Sequence, residues 1–104
     1  MTLLARTNVH WLVTPPPVHA NEKLIRPARF EHQVEDWLKN AWSVVLVPEG
    51  ALDHEGNQWA TARFLMPDAP HEWLAVHQRF TLFDGPLAIA DVRIDEFFDD
   101  PGES

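Results

Sequence analysis

The chain has 104 residues, 45% of them hydrophobic, with a formal net charge of −8 and no cysteine. That length accommodates one domain with one core, and excludes disulfides, thiolate chemistry and any Cys-based zinc site. The acidic balance argues against nucleic acid, whose binding rests on basic side chains neutralising phosphates, and against anionic membrane surfaces.

Met1 to Val13 shows no basic stretch followed by an apolar run, so no signal peptide is expected. With no cysteine, a reducing cytoplasmic setting is expected. The longest apolar runs, such as Val44 to Val47, are too short to span a membrane as a helix.

In chain order, residues 8–13 alternate, with Val9, Trp11 and Val13 on one face and Asn8, His10 and Leu12 on the other. This predicts a first strand. Pro15, Pro16 and Pro17 then predict an extended, polyproline-like connection. Residues 28–34 alternate again, placing Phe30, His32 and Val34 together. Residues 35–42 fit either one helical turn or a hairpin around Lys39 and Asn40. A β-branched strand is predicted over 43–47, stopped by Pro48, and a loop over 48–57.

The alternation is clearest in the C-terminal half. Over 58–66, Ala60, Ala62, Phe64 and Met66 share one face, and Trp59, Thr61, Arg63 and Leu65 the other. A loop with a short turn near 71–76 precedes a strand over 78–83, with Phe80 and Leu82 inward. Asp84-Gly85 is a hairpin signal, and the adjacent Pro86 argues for a slightly longer connection. Over 87–94, Ala88, Ala90, Val92 and Ile94 face inward, and Ile89, Asp91 and Arg93 outward. Residues 8–94 are expected to form the body of a single domain spanning 1–104, with 95–104 as a solvated acidic tail. The five or six short strands predict an all-β barrel or sandwich, with at most one or two short helices, and the small and large inward residues suit a tight barrel.

The stretch QWATARFLMPDAPHEWLAVHQRFTLFDGPLAIADVRI resembles the C-terminal β-barrel domain of elongation factor Tu and small stand-alone relatives of that domain. Phe64, Leu65 and Pro67 match the family's strand end, and Leu74 its leucine-rich turn. Arg79, Phe80, Leu82 and Gly85 match its hairpin, with Asp84 where the family has Glu. Arg26, Pro27 and Phe30 resemble its Arg-Pro-x-Phe piece with one extra residue. The likeness covers roughly residues 24–94 and implies a six-stranded antiparallel barrel. His77-Gln78 departs from the turn usual before the hairpin, and no G-x-x-x-x-G-K-[ST] loop occurs, so GTP-driven elongation is not carried over.

The side chains that could do chemistry are scattered. Six histidines stand at 10, 19, 32, 54, 71 and 77, with no H-x-H or H-E-x-x-H spacing. Glu35-Asp36 and Asp68 with Glu72 are the carboxylate pairs, and they read as solvated faces in an acidic chain. Ser43 lies outside any nucleophile elbow, and the four glycines form no phosphate cradle. No catalytic residue, cofactor or metal site is assigned, and the chain is read as a non-enzyme.

Trp37, Trp42 and Trp73 lie beside polar neighbours in expected connections. With His71 and Glu72 they are the candidate partner-binding residues, because indoles dominate binding hot spots. The leading expectation is a non-catalytic cytoplasmic protein-binding module. An immunity-like acidic inhibitor of a basic toxin is the alternative. A metal-assisted hydrolase using His54, His71 or His77 is the third.

Overall fold

The computed structural model describes residues 2–31, 41–66 and 68–100. Six strands form β1 (Thr2–Trp11), β2 (Leu24–Phe30), β3 (Trp42–Glu49), β4 (Asn57–Phe64), β5 (Arg79–Asp84) and β6 (Leu87–Asp100). They close into an antiparallel barrel in the order β1-β4-β3-β2-β5-β6, the barrel rather than the sandwich of the two architectures that the alternation allows. Among the described residues the helical content is one 3₁₀ turn, His71–Trp73. The consecutive strands β2, β3 and β4 are antiparallel neighbours, and β5 returns to lie beside β2, which is a Greek key.

The core is built from inward positions at period two. Ala5, Val9 and Trp11 come from β1, and Ala60, Ala62 and Phe64 from β4. Phe80 and Leu82 come from β5, and Ala90, Val92 and Ile94 from β6. Alanines on β1, β4 and β6 leave room for the rings of Phe30, Phe64 and Phe80. Phe30 lies 5.7 Å from Phe64 and 5.0 Å from Phe80, centroid to centroid. Thr7 is the inward polar exception on β1, and its hydroxyl donates to the Ala60 carbonyl at 2.9 Å.

Several boundaries differ from the sequence reading. The first strand begins at Thr2 and ends at Trp11; residues 96–100 pair with its opening residues instead of forming a free tail, and Asp95 is the residue skipped at the register shift. The second strand covers Leu24–Phe30 and ends before His32 and Val34, which lie outside the described residues. The fourth ends at Phe64, leaving Met66 exposed.

Pro48 lies inside β3 and does not stop it. Its carbonyl accepts from Asn21 N at 2.7 Å, on the side where the β2 ladder has ended at Leu24–Leu46. The nitrogen of the same residue points that way too, so the missing donor breaks no bond to β4.

Ile89, expected outward, is buried. The β5–β6 register passes from Leu82–Ala90 to Phe83–Ala88, skipping Ile89, and such a bulge re-aims a side chain. The β5–β6 turn is short after all. Asp84 pairs with Leu87, and Gly85 supplies the positive φ (58°) that a type II′ loop needs at its first position, with Pro86 second. The 12–23 connection bends at 12–15 instead of running extended. Its Val13 and Val18 fold back onto the core and cover one end of the barrel.

Candidate functional site

The two ends of the barrel are closed differently. At the first, Trp11 is buried and its Nε1 donates to Gln58 Oε1 at 3.0 Å. Gln58 Nε2 in turn donates to the Gly50 carbonyl at 2.9 Å. At the opposite end, the β4–β5 connection over 65–78 folds across the opening. Leu74 and Ala69 are buried there, and Trp73 N donates to the Pro70 carbonyl at 2.9 Å. Trp73 is half-buried and edge-on to Phe30, at 5.5 Å and 61°.

Of the partner-binding candidates, Trp42 is the first residue of β3 and not part of a connection. It is half-buried, packed on the core, with its ring 6.5 Å from Phe64. Trp42 and Trp73 are thus brought to the same capped end, each touching a ring of the Phe30–Phe64 pair. Glu72 is exposed on the 3₁₀ turn between His71 and Trp73. Trp37 and the side chain of His71 lie outside the described residues.

The sequence reading missed the apolar residues exposed at this end: Leu65 (41%), Met66 (50%) and Val76 (43%). Leu65 N is tied to the Ser43 carbonyl at 3.0 Å, which holds the start of this segment against the first residues of β3. The signal available was an apolar pair immediately before Pro67, where a strand pattern ends.

A second surface lies on the outside of the barrel wall. One cross-strand row runs Arg79 (β5), Arg93 (β6), Asn8 (β1), Trp59 (β4). The next runs Thr81, Asp91, His10, Asn57. Thr81 Oγ1 donates to Asp91 Oδ1 at 3.0 Å. His10 Nδ1 lies 3.0 Å from Asn57 Oδ1, so with that acceptor Nδ1 carries the proton and Nε2 of the neutral ring is an acceptor. A cleft of about 360 Å³ is lined by Asn8, His10, Asn57, Arg79, Asp91 and Arg93, together with Val92. Arg6 stacks its guanidinium on Trp59 at 4.7 Å and reaches Glu96 at 3.7 Å. These outward residues followed from the alternation, but their neighbours required the register.

The remaining candidates stay apart. His54 sits in the 50–56 loop beside the Trp11 end, whereas His77 precedes β5 at the capped end. The third reading therefore finds no shared site for His54 with His77. Among the described residues no three His, Asp or Glu side chains group as metal ligands. Asp53 is a turn-former: its Oδ1 accepts from Glu55 N and Asn57 N, both at 2.8 Å. Those bonds, the one from Asn57 above all, hold its carboxyl below the usual carboxylate range.

The fold and these surfaces define a small closed β-barrel with a capped end and a polar outer wall. Comparison with family models, curated proteins and solved structures returned no match.

Proposed function

We propose that the chain is a non-catalytic protein-binding module of the cytoplasm, which docks its partner against the capped end of the barrel. One observation carries this reading. Leu65, Met66 and Val76 are exposed on the segment that also places Trp73, and Trp42 is half-buried at the same end of the barrel. Exposed apolar residues grouped with indoles, and rimmed by a charge such as Glu72, are the make-up of a contact surface. The rigid barrel beneath supplies the pre-organisation that a binding loop needs.

The likeness to the last barrel of elongation factor Tu is part of this proposal. It is supported by the burial of Phe64, Leu74, Phe80 and Leu82 and by Gly85 at the hairpin turn. The inhibitor reading is favoured by a different observation, the net charge of −8 with Asp95 and Glu96 carried on the long β6 strand.

The test compares partner capture from the native host by the wild type, Met66→Asp and Leu87→Asp. Leu87 is exposed to 55% at the opposite end. A protein held by the wild type and by Leu87→Asp, but lost from Met66→Asp, supports docking at the cap. Equal retention by both variants refutes it. A steep fall of affinity with salt, unaffected by Met66→Asp, favours the acidic inhibitor instead.

A further inference from the structure

We propose that the outer wall of the barrel carries an oxyanion-binding site, with Arg79 and Arg93 as the clamp and Asn8 as a flanking donor. The ligand chemistry is a carboxylate or a phosphate. The inference concerns a different surface from the capped end and does not depend on the docking reading.

The first ground is register. Arg79 and Arg93 stand directly opposite one another on β5 and β6. Two residues along, Thr81 and Asp91 are also direct partners, and their side chains meet at 3.0 Å. Positions of equal parity in an antiparallel pair share the same spacing, so the arginine pair occupies the closely approaching kind of position. Like charges directly opposed destabilise a sheet. The chain has only 8 basic residues against 16 acidic ones, and two of the basic ones are spent on this opposition.

The second ground is how little the two guanidinium groups are satisfied. Arg79 has no ion pair among the described residues, and its backbone carbonyl is used by Glu31 N at 3.2 Å. Among the described residues Arg93 pairs only with Asp95, at 3.5 Å, with both side chains substantially exposed, and contacts of that kind are easily exchanged. Asp91, the acid in the cleft lining, accepts from the Thr81 hydroxyl on one carboxylate oxygen and keeps its charge.

The third ground is the shape and chemistry of the lining. Across the β6–β1 ladder, Arg93 faces Asn8 and Asp91 faces His10. The Asn8 amide can donate, whereas the neutral His10 ring, with its proton on Nδ1 toward Asn57, lines the cleft without adding a donor. All four side chains line the same cleft of about 360 Å³, which is large enough for a phosphate or a short dicarboxylate. Two forked cations with an adjacent amide form a donor set that matches the oxygens of an oxyanion.

The experiment is a titration of the ¹⁵N-labelled full chain with inorganic phosphate and, separately, with glutarate, at constant ionic strength set by sodium chloride. The expected result is saturable movement of the Arg79 and Arg93 Nε–Hε signals and of the Asn8 and His10 amides. Affinity should fall at least tenfold in Arg79→Gln and in Arg93→Gln. Arg79→Lys keeps the charge but removes the fork, and it should lose most of the affinity too. Saturation by phosphate in preference to glutarate assigns a phosphate ligand, and the reverse a carboxylate. Unperturbed amides elsewhere in each variant show that the fold is retained. Non-saturating shifts, shifts equal to those with chloride alone, or unchanged affinity in folded Arg79→Gln overturn the site.

Discussion

The indole of Trp73 meets the ring of Phe30 edge-on, with centroids 5.5 Å apart and planes inclined by 61°. Phe30 belongs to the barrel wall and Trp73 to the connection that crosses its end, so this contact fastens the cap to the core. The next residue, Leu74, is almost wholly buried beneath it.

The cap should therefore show a graded response. Leu74→Ala removes a buried side chain and is expected to cost about 3 kcal/mol. Trp73→Ala removes a half-buried ring and should cost less, about 2 kcal/mol, because part of the indole already faces water. Urea denaturation of both variants checks this. Equal and negligible effects would mean that the connection does not close the barrel.

At the opposite end, Gln58 satisfies two groups at once, the Trp11 indole N–H and the Gly50 carbonyl. Gln58→Leu leaves both without this partner: the buried indole N–H then costs about 1–3 kcal/mol, whereas Gly50 is exposed and its carbonyl can turn to water. Trp11→Phe in the Gln58→Leu background removes the stranded N–H. The double variant should consequently lose less stability than the sum of the two single variants, and a double-mutant cycle measures the difference. Strict additivity would show that the bridge does not couple them.

Phe80 is inward on β5 and stacks at 5.0 Å on Phe30. Phe80→Ala should cost about 3–5 kcal/mol, while Phe80→Leu, which keeps most of the volume, should cost well under half of that. A chemical-denaturation midpoint for each variant is the readout. A loss below about 1 kcal/mol for the alanine variant would contradict the burial of this ring.

Asp53 gives a pH-dependent prediction. Its carboxylate accepts backbone bonds from Asn57 and Glu55, so its folded pKa lies below the ordinary value. A depressed folded pKa makes a contribution that is complete above the unfolded pKa and is lost as pH falls through the folded one. Asp53→Asn should be less stable than the wild type near neutrality, and the two should converge in acid. Titration of the Asp53 carboxyl carbon by NMR should show a midpoint below that of an unstructured Asp. A midpoint at or above that value would mean that the turn bonds do not form in solution.

Period-two alternation determined the all-β class and the parity of Phe64, Phe80, Leu82, Ala90 and Val92, because it depends only on each residue's immediate neighbours along the chain; it left barrel and sandwich open. It could not place the ends of β1 and β6. Thr2–Arg6 and Glu96–Asp100 carry a weak local signal and become strands by pairing with each other across nearly the whole length of the chain. Pro48 likewise reads locally as a strand stop, and only the end of the neighbouring β2 ladder makes its missing donor harmless. Ile89 reads as outward until the β5 register skips it. The same holds for the candidate sites. Arg79 and Arg93 are separate outward residues in the sequence, and Leu65 and Met66 look like a strand's continuation. Registering β5 against β6, and ending β4 at Phe64, turned these residues into an opposed cationic pair and an exposed apolar rim. Side-chain direction is a property of the local backbone, whereas side-chain company is a property of strand pairing, which no local stretch contains.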